Sequence, residues 1–105
     1  MYIRYFVNTN KKESAINIVE ESLIGIQEKI IYKQIKKTEP YWKIDNIYIV
    51  EMEIEIQKES ITVFLNLYSD NWIEYGNPTD ELISSKNNKE CAYMKKGFEM
   101  INIFF

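Results

Sequence analysis

A run in the middle of the chain, between positions 47 and 57, begins with apolar residues and then alternates strictly between acidic and apolar residues. The apolar residues in the second half of this run are Met52, Ile54 and Ile56, and the carboxylates between them are Glu51, Glu53 and Glu55. Successive side chains of a strand point to opposite faces of a sheet. The run therefore predicts one long strand with an apolar face and an acidic face.

The first quarter of the chain predicts a strand followed by an amphipathic helix. Residues 2–7 are rich in aromatic and β-branched side chains, which favours a strand. Asn10, with Glu13 three residues later, is typical of a capping box, and apolar residues then recur three or four apart over residues 16–26. Gly25 lies where a left-handed residue would end the helix.

Two runs of similar length, residues 26–36 and 44–57, flank a turn-like segment that contains Pro40. They predict a long antiparallel hairpin. With the turn centred near Pro40, Lys29 would pair with Glu51. This register would place apolar side chains on one face and mixed charges on the other.

The C-terminal half predicts a second helix, a long connection and a last strand. From Ser60 the apolar residues fit both a helix and a strand, and the helix is favoured because its spacing also accounts for Trp72. Residues 98–105, which follow Gly97, predict the last strand. The connection, residues 72–97, is too long to lack structure in a compact domain.

Elements are therefore expected within this connection. Residues 72–75 predict a short extra strand, and residues 77–83 predict a short helix that carries Asp80 and Glu81 in its first turn. Residues 84–90 are polar and are expected to be mobile.

The order strand, helix, strand, strand, helix, strand predicts an α+β fold. If each strand–helix–strand crossover is right-handed, the elements form a two-layer α/β sandwich with an antiparallel sheet. This is the ferredoxin-like βαββαβ arrangement, with an extra segment between the second helix and the last strand. With 105 residues, of which 46% are hydrophobic, the chain is long enough to bury one core, so residues 1–105 are expected to form a single domain.

Composition excludes several kinds of partner and site. The 16 acidic and 13 basic residues give a net charge of −3, which disfavours nucleic acids and anionic membranes as partners. Met1 leads directly into a predicted strand, without a signal segment or an apolar run of the roughly 18 residues that a membrane span needs, so a cytoplasmic location is expected. Cys91 is the one cysteine, which leaves no disulfide within the chain and no cysteine-based zinc site.

Catalysis finds little support in these residues. A serine or cysteine nucleophile needs a nearby base, and the usual base, histidine, is absent. Carboxylates at alternate positions of a strand form an open row, about 6.5 to 7 Å apart, rather than a closed cage for a metal ion. We therefore expect no enzyme activity, no cofactor and no metal. A small enzyme that uses carboxylates and a divalent metal stays as an alternative.

Two acidic surfaces are candidates for binding a partner. The first is the row of three glutamates on the long strand, whose simpler interpretation is a solvated sheet face. The second lies on the long connection, where two aromatic residues among acids would suit a cationic partner. Its members are Asp70, Trp72, Glu74, Tyr75, Asp80 and Glu81. The simpler interpretation of this second group is helix charges and core packing.

RNA-recognition-motif domains share the βαββαβ topology and stack bases on aromatic residues of their two central strands. Tyr2 and Phe6 would suit such stacking. The neighbouring strand, however, would present Glu51, Glu53 and Glu55 where those domains carry aromatic and basic residues, so that negative charge would face the phosphates. This departure argues against RNA as a ligand.

A short acidic chain with one domain, no catalytic equipment and acidic rows beside aromatic residues resembles bacterial immunity proteins of contact-dependent growth inhibition and polymorphic toxin systems. The resemblance implies a cognate basic toxin domain as partner, an RNase or a DNase, bound one to one. It also implies that the active site or substrate groove of the toxin is occluded. The predicted contacts are the glutamates of the first surface or the residues of the second.

The alternative is a small-molecule-binding or regulatory α/β domain that forms a homodimer. In that arrangement the ligand lies at the dimer interface, and the edge strand at residues 26–36 pairs with its copy. A symmetric dimer in solution would favour this alternative.

Overall fold

The computed structural model describes all of residues 1–105, which form six strands, two α-helices and two short 3₁₀ segments. The strands are β1 (Tyr2–Val7), β2 (Ile30–Pro40), β3 (Tyr48–Ile56), β4 (Ile73–Tyr75), β5 (Glu81–Ser85) and β6 (Phe98–Phe104). The helices are α1 (Lys12–Ser22) and α2 (Ile61–Tyr68), and the 3₁₀ segments are Ile24–Lys29 and Lys58–Ser60. No helix combines the length and the apolar composition that crossing a membrane requires.

The six strands form one antiparallel sheet in the order β2-β3-β1-β6-β5-β4. The predicted α+β class with an antiparallel sheet is confirmed. The number and order of strands differ from a simple ferredoxin-like fold, because the long connection adds β4 and β5 as a hairpin beyond β6. Without this hairpin β6 would be an edge strand with unpaired N–H and C=O groups. Pairing with β5 satisfies these groups.

The main core lies between one face of the sheet and the two helices. The alternating residues Ile3, Tyr5 and Val7 of β1 point into it and are fully buried. On β3 the predicted apolar face, Met52, Ile54 and Ile56, joins the same cluster. The alternation in β1 and β3 is therefore produced by helices that cover one face of the sheet and leave the other open.

A chain of three buried hydroxyl groups runs through this core. The Tyr68 hydroxyl lies 2.7 Å from the Ser22 hydroxyl and 3.1 Å from the Tyr5 hydroxyl. Ser22 also donates to the carbonyl of Val19 at 2.6 Å. The chain links α1, α2 and β1, and each hydroxyl keeps a partner although water is excluded.

The two ends of α1 differ from the prediction. The residue before the helix is Lys11, and no side chain caps the N-terminus, so the capping box of Asn10 and Glu13 is wrong. Gly25 does not adopt a left-handed conformation, and it lies within the 3₁₀ segment that follows α1. This segment occupies the positions where the second strand was expected to begin.

The predicted register of the β2–β3 hairpin is also wrong. Lys37, not Lys29, pairs with Glu51, because β2 continues to Pro40 and the chain reverses only after it. Pro40 is tolerated in the strand because β2 is an edge strand, whose outer N–H groups need no partner. The reversal includes Asn46 with a φ of 64°, a left-handed conformation that asparagine adopts more readily than most residues.

The elements predicted for the C-terminal half of the chain are partly confirmed. The helix at residues 61–68, the short strand Ile73–Tyr75 and the last strand are confirmed. The helix at residues 77–83 is wrong: Gly76, with a φ of 92°, opens a turn, and β5 follows and pairs with β6. Ser84 is fully buried in β5, so residues 84–90 begin in the sheet rather than as a mobile segment.

Candidate functional site

The candidate site is the face of the sheet opposite α1 and α2, here called the open face. The strand register aligns its side chains in rows that cross the sheet. One row contains Gln34, Glu53, Tyr2, Phe104, Glu81 and Tyr75. The next row contains Lys37, Glu51, Arg4, Asn102, Ile83 and Ile73. Charged groups concentrate on β2, β3 and β1, and apolar groups on β6, β5 and β4.

Glu51 is the best satisfied carboxylate of the open face. Arg4 Nε lies 3.0 Å from one carboxylate oxygen, and the Tyr2 hydroxyl donates to the other at 2.6 Å. Partial burial acts to raise the pKa of Glu51, but the hydrogen bonds from Tyr2 and Arg4 and the charges of Arg4 and Lys37 outweigh it, so the pKa is lowered. Glu51 is therefore ionised and held within the chain.

Glu53 and Glu55 are less constrained than Glu51. Glu53 forms one ion pair, with Lys36 Nζ at 3.5 Å, and both side chains are largely exposed. Exposed pairs of this kind contribute little and separate easily. Glu55 is exposed, lies opposite Tyr32 and forms no ion pair or side-chain hydrogen bond. These two carboxylates are the ones that a partner could reach without breaking a buried contact.

The other half of the open face is mostly apolar and partly exposed, and its polar residues Glu81 and Asn102 contact each other. Tyr75 and Ile73 of β4 are 47% and 40% exposed. Phe104 of β6 lies in the row of Tyr75, and the Arg4 guanidinium lies 5.8 Å from the centre of its ring. Acidic and apolar halves therefore adjoin at β1, where Arg4 contacts both.

The second predicted surface is divided between the two faces of the molecule. Tyr75 and Glu81 lie on the open face, in the same row as Glu53. Glu74 pairs with the buried Leu82 and therefore points to the helix side. The β4–β5 hairpin thus places part of the second surface on the same face as the first, with β1 and β6 between them.

Asp70, Trp72 and Asp80 have roles within the fold. Asp70 accepts hydrogen bonds from the backbone N–H groups of Ala92 and Tyr93, at 3.1 and 3.0 Å. The Trp72 indole N–H donates to the carbonyl of Leu65 at 3.2 Å, and the ring packs against the main core. The backbone of Asp80 bonds to Tyr75 and Phe105 and closes the turn before β5.

The tip of the β2–β3 hairpin is an exposed aromatic feature that sequence reasoning missed. Trp42 is 84% exposed, more than any other large hydrophobic residue. Its neighbour Tyr41 packs edge-on against Phe6 of the open face, with the ring centres 5.1 Å apart. The sequence does contain a signal for this feature. A tryptophan in the turn between two strands has no core to pack into, so it is expected to be exposed.

The carboxylates of the open face are spread along the sheet rather than gathered into a cluster. No three or more Cys, Asp and Glu side chains gather closely enough to hold a metal ion together. The exposed carboxylates stand in open rows beside aromatic and aliphatic side chains, as in the rim and centre of protein interfaces. The chain matches no known family model, and neither the curated proteins nor the solved structures contain a significant match to it.

Proposed function

We propose that this chain is an immunity protein that binds a cognate toxin domain, a basic RNase or DNase, one to one in the bacterial cytoplasm. Binding neutralises the toxin because it covers the active site or the groove that holds the nucleic acid. The observation that supports the proposal is the open face, which carries the accessible carboxylates of Glu53 and Glu55 on one half and exposed apolar side chains on the other. In this proposal the βαββαβ part of the fold, which resembles a ferredoxin-like core, is the scaffold of the binding face.

The two halves of the open face have complementary tasks in this proposal. Carboxylates steer a basic partner during encounter and occupy the positions where the toxin would hold phosphates. The apolar half, with Ile73 and Tyr75 exposed, supplies the contacts that slow dissociation. The molecule measures 35 by 31 by 22 Å, so a face along its two longer dimensions can supply the roughly 800 Å² per partner of a standard interface.

Co-expression with the product of the adjacent upstream gene tests the proposal. The chain should restore growth to cells that make that toxin and should co-purify with it as a one-to-one complex. Failure of both rescue and complex formation would reject the proposal. Rescue without a complex would also reject it, because the proposed mechanism is occlusion by binding.

Two double variants test whether the toxin binds at the open face. Glu53→Gln with Glu55→Gln removes the two accessible carboxylates and should slow association at low salt by roughly fivefold. Glu13→Gln with Glu28→Gln is the matched control, because it removes the same charge from exposed positions of the helical layer. Equal effects of the two pairs would show that net charge, and not the open face, governs association.

The exposed edge of β2 favours one second candidate, the small-molecule-binding or regulatory homodimer. Ile31 on this edge is 61% exposed, and an edge strand can pair with a copy of itself. Two bulges interrupt β2, and it carries Lys33, Lys36 and Lys37, which are features that discourage such pairing. Light scattering at micromolar concentration decides: a stable dimer would favour this candidate, and a monomer would count against it.

A further inference from the structure

A groove opens at one end of the open face, between the tip of the β2–β3 hairpin and β6. It encloses about 160 Å³. Its apolar lining consists of Phe6, Tyr41, Ile44, Ile47 and Met100. Phe6 and Ile47 belong to a small buried cluster that is separate from the main core, so the groove has a packed floor.

Glu99 lines the same groove and is placed there by a bulge in β6. The pairing of β1 with β6 passes from Phe6 opposite Met100 to Val7 opposite Phe98, which leaves Glu99 without an opposite residue on β1. Bulges of this kind re-aim a side chain relative to the regular alternation. The carboxylate of Glu99 forms no ion pair and no hydrogen bond, and its backbone carbonyl accepts a hydrogen bond from the N–H of Lys86 at 3.0 Å.

The size and lining of the groove restrict what it can hold. Pockets for small-molecule ligands enclose about 300 to 1,000 Å³, whereas a volume near 150 Å³ accommodates one ring or one side chain. The polar residues of the lining are Ser85, Asn87 and Glu99, and Glu99 is the one charged group among them. A mostly apolar lining with one carboxylate is complementary to a side chain that has an aliphatic stem and a positive end. Lysine and arginine have this form, and they bury their stems along apolar surfaces while the charged group reaches a partner.

We propose that this groove receives one lysine or arginine side chain of the partner protein, with its stem against Phe6, Ile47 and Met100 and its cationic group at Glu99. The inference rests on the proposed function, because it identifies the part of a basic toxin domain that the open face recognises. Trp42 lies at the exposed tip of the same hairpin, with its ring 6.5 Å from that of Tyr41 in the groove.

Titration with a small cation tests the groove without any toxin. The probe is butylguanidinium, and butylurea is a neutral probe of nearly the same shape. Butylguanidinium should produce saturable NMR shifts of the methyl groups of Ile44, Ile47 and Met100. Butylurea should bind about two- to fivefold more weakly, the difference expected for a partly exposed ion pair.

Two variants of the chain provide the controls. Glu99→Gln should reduce the affinity for butylguanidinium about two- to fivefold and leave that for butylurea unchanged. Glu28→Gln, an exposed acid on the helical layer, should change neither. Equal affinities of the two probes for the wild-type chain would overturn the proposal, and so would shifts confined to residues outside the groove.

The titration and the co-expression experiment fail independently. If the chain forms no complex with the toxin but butylguanidinium binds at Glu99, the proposed function is wrong and the groove remains a site for a cationic side chain. If the complex forms but the probe does not bind in the groove, the immunity function stands and this inference is wrong. A second copy of the chain in the groove would appear as concentration-dependent shifts of the same methyl groups without any probe, and that result would also overturn it.

Discussion

Arg4 Nε lies 3.0 Å from the carboxylate of Glu51 on the neighbouring strand, and Tyr2 donates to the other oxygen of the same carboxylate. The three side chains fasten β1 to β3 at the centre of the open face. Because both of its oxygens are engaged, Glu51 cannot bind a partner without losing contacts inside the chain. The acidic row that is uniform in the sequence is therefore divided into one structural glutamate and two accessible ones.

Replacing Glu51 by Gln should lower the free energy of unfolding at neutral pH by about 1 kcal/mol, because Gln retains an acceptor for Tyr2 and Arg4 but loses the charge. The pKa of Glu51 is lower in the folded chain than its ordinary value of 4.5. Its contribution to stability is therefore complete above the unfolded value and is lost as the pH falls through the folded value.

Urea unfolding at a series of pH values measures this effect. The difference between the wild-type chain and Glu51→Gln should shrink as the pH falls below the ordinary pKa of 4.5. Glu55→Gln is the control, since Glu55 has no partner and its replacement should leave stability within about 0.5 kcal/mol. A Glu51→Gln deficit that is the same at acid and neutral pH would contradict an origin in the ion pair.

The division of the acidic row also predicts how salt affects association with the toxin. Glu53→Gln with Glu55→Gln should flatten the dependence of the association rate on ionic strength, since exposed charges are screened by salt and steer encounter. Glu51→Gln should flatten it less, because the charge of Arg4 already offsets that of Glu51. Stopped-flow association at several salt concentrations measures both, and identical slopes for the two variants would contradict the division.

The strands were predictable from the sequence where a local period decides them. The alternation over residues 50–56 requires only that one face be buried, and the structure has β3 at these positions. The register of its hairpin depends instead on where the chain reverses, and the left-handed Asn46 and the bulges of β2 leave no clear periodic signal. The prediction therefore placed the turn at Pro40, the most visible breaker.

The candidate site was less predictable because it depends on which strands are neighbours. The contact between Arg4 and Glu51 exists only because β1 lies beside β3, and local patterns do not encode this pairing. Glu81 was assigned to a helix because acids after a turn are typical of a helix N-terminus. In the structure residues 81–85 form β5 instead, which satisfies the backbone groups along the edge of β6. This pairing places Glu81 on the open face.

The two tryptophans should behave oppositely when replaced. Trp72→Phe removes the hydrogen bond to the Leu65 carbonyl and should lower the free energy of unfolding by about 1 kcal/mol. Trp42→Ala should leave stability within about 0.5 kcal/mol, because Trp42 is 84% exposed. It should weaken the toxin complex about tenfold or more if Trp42 is an interface anchor.

Thermal unfolding and calorimetric titration with the toxin separate these effects. Lys86→Ala, an exposed change on the β5–β6 connection, serves as a control that should alter stability within about 0.5 kcal/mol. Unchanged toxin affinity in Trp42→Ala would remove the hairpin tip from the interface. Loss of stability in the same variant would show that Trp42 packs within the fold.

The buried hydroxyl chain of Ser22, Tyr68 and Tyr5 gives a prediction for alkaline pH. Burial raises the pKa of Tyr68 from 10.0 to about 12, against the opposing effect of its hydrogen bonds with Ser22 and Tyr5, and burial also raises the pKa of Tyr5 well above 10.0. Between these values the unfolded chain releases protons that the folded chain keeps, so stability falls as the pH rises through that interval.

Replacement of the two tyrosines tests the same chain at neutral pH. Tyr68→Phe leaves the Tyr5 hydroxyl buried without a partner and should destabilise by about 1–3 kcal/mol, whereas Tyr5→Phe should cost less because Tyr68 keeps Ser22. Adding Tyr5→Phe to Tyr68→Phe should recover part of the loss, since it removes the orphaned hydroxyl. Urea unfolding of the four chains measures this coupling, and unfolding at alkaline pH should show a weaker pH dependence in the double variant. Strictly additive losses would contradict a hydrogen bond between the two hydroxyls.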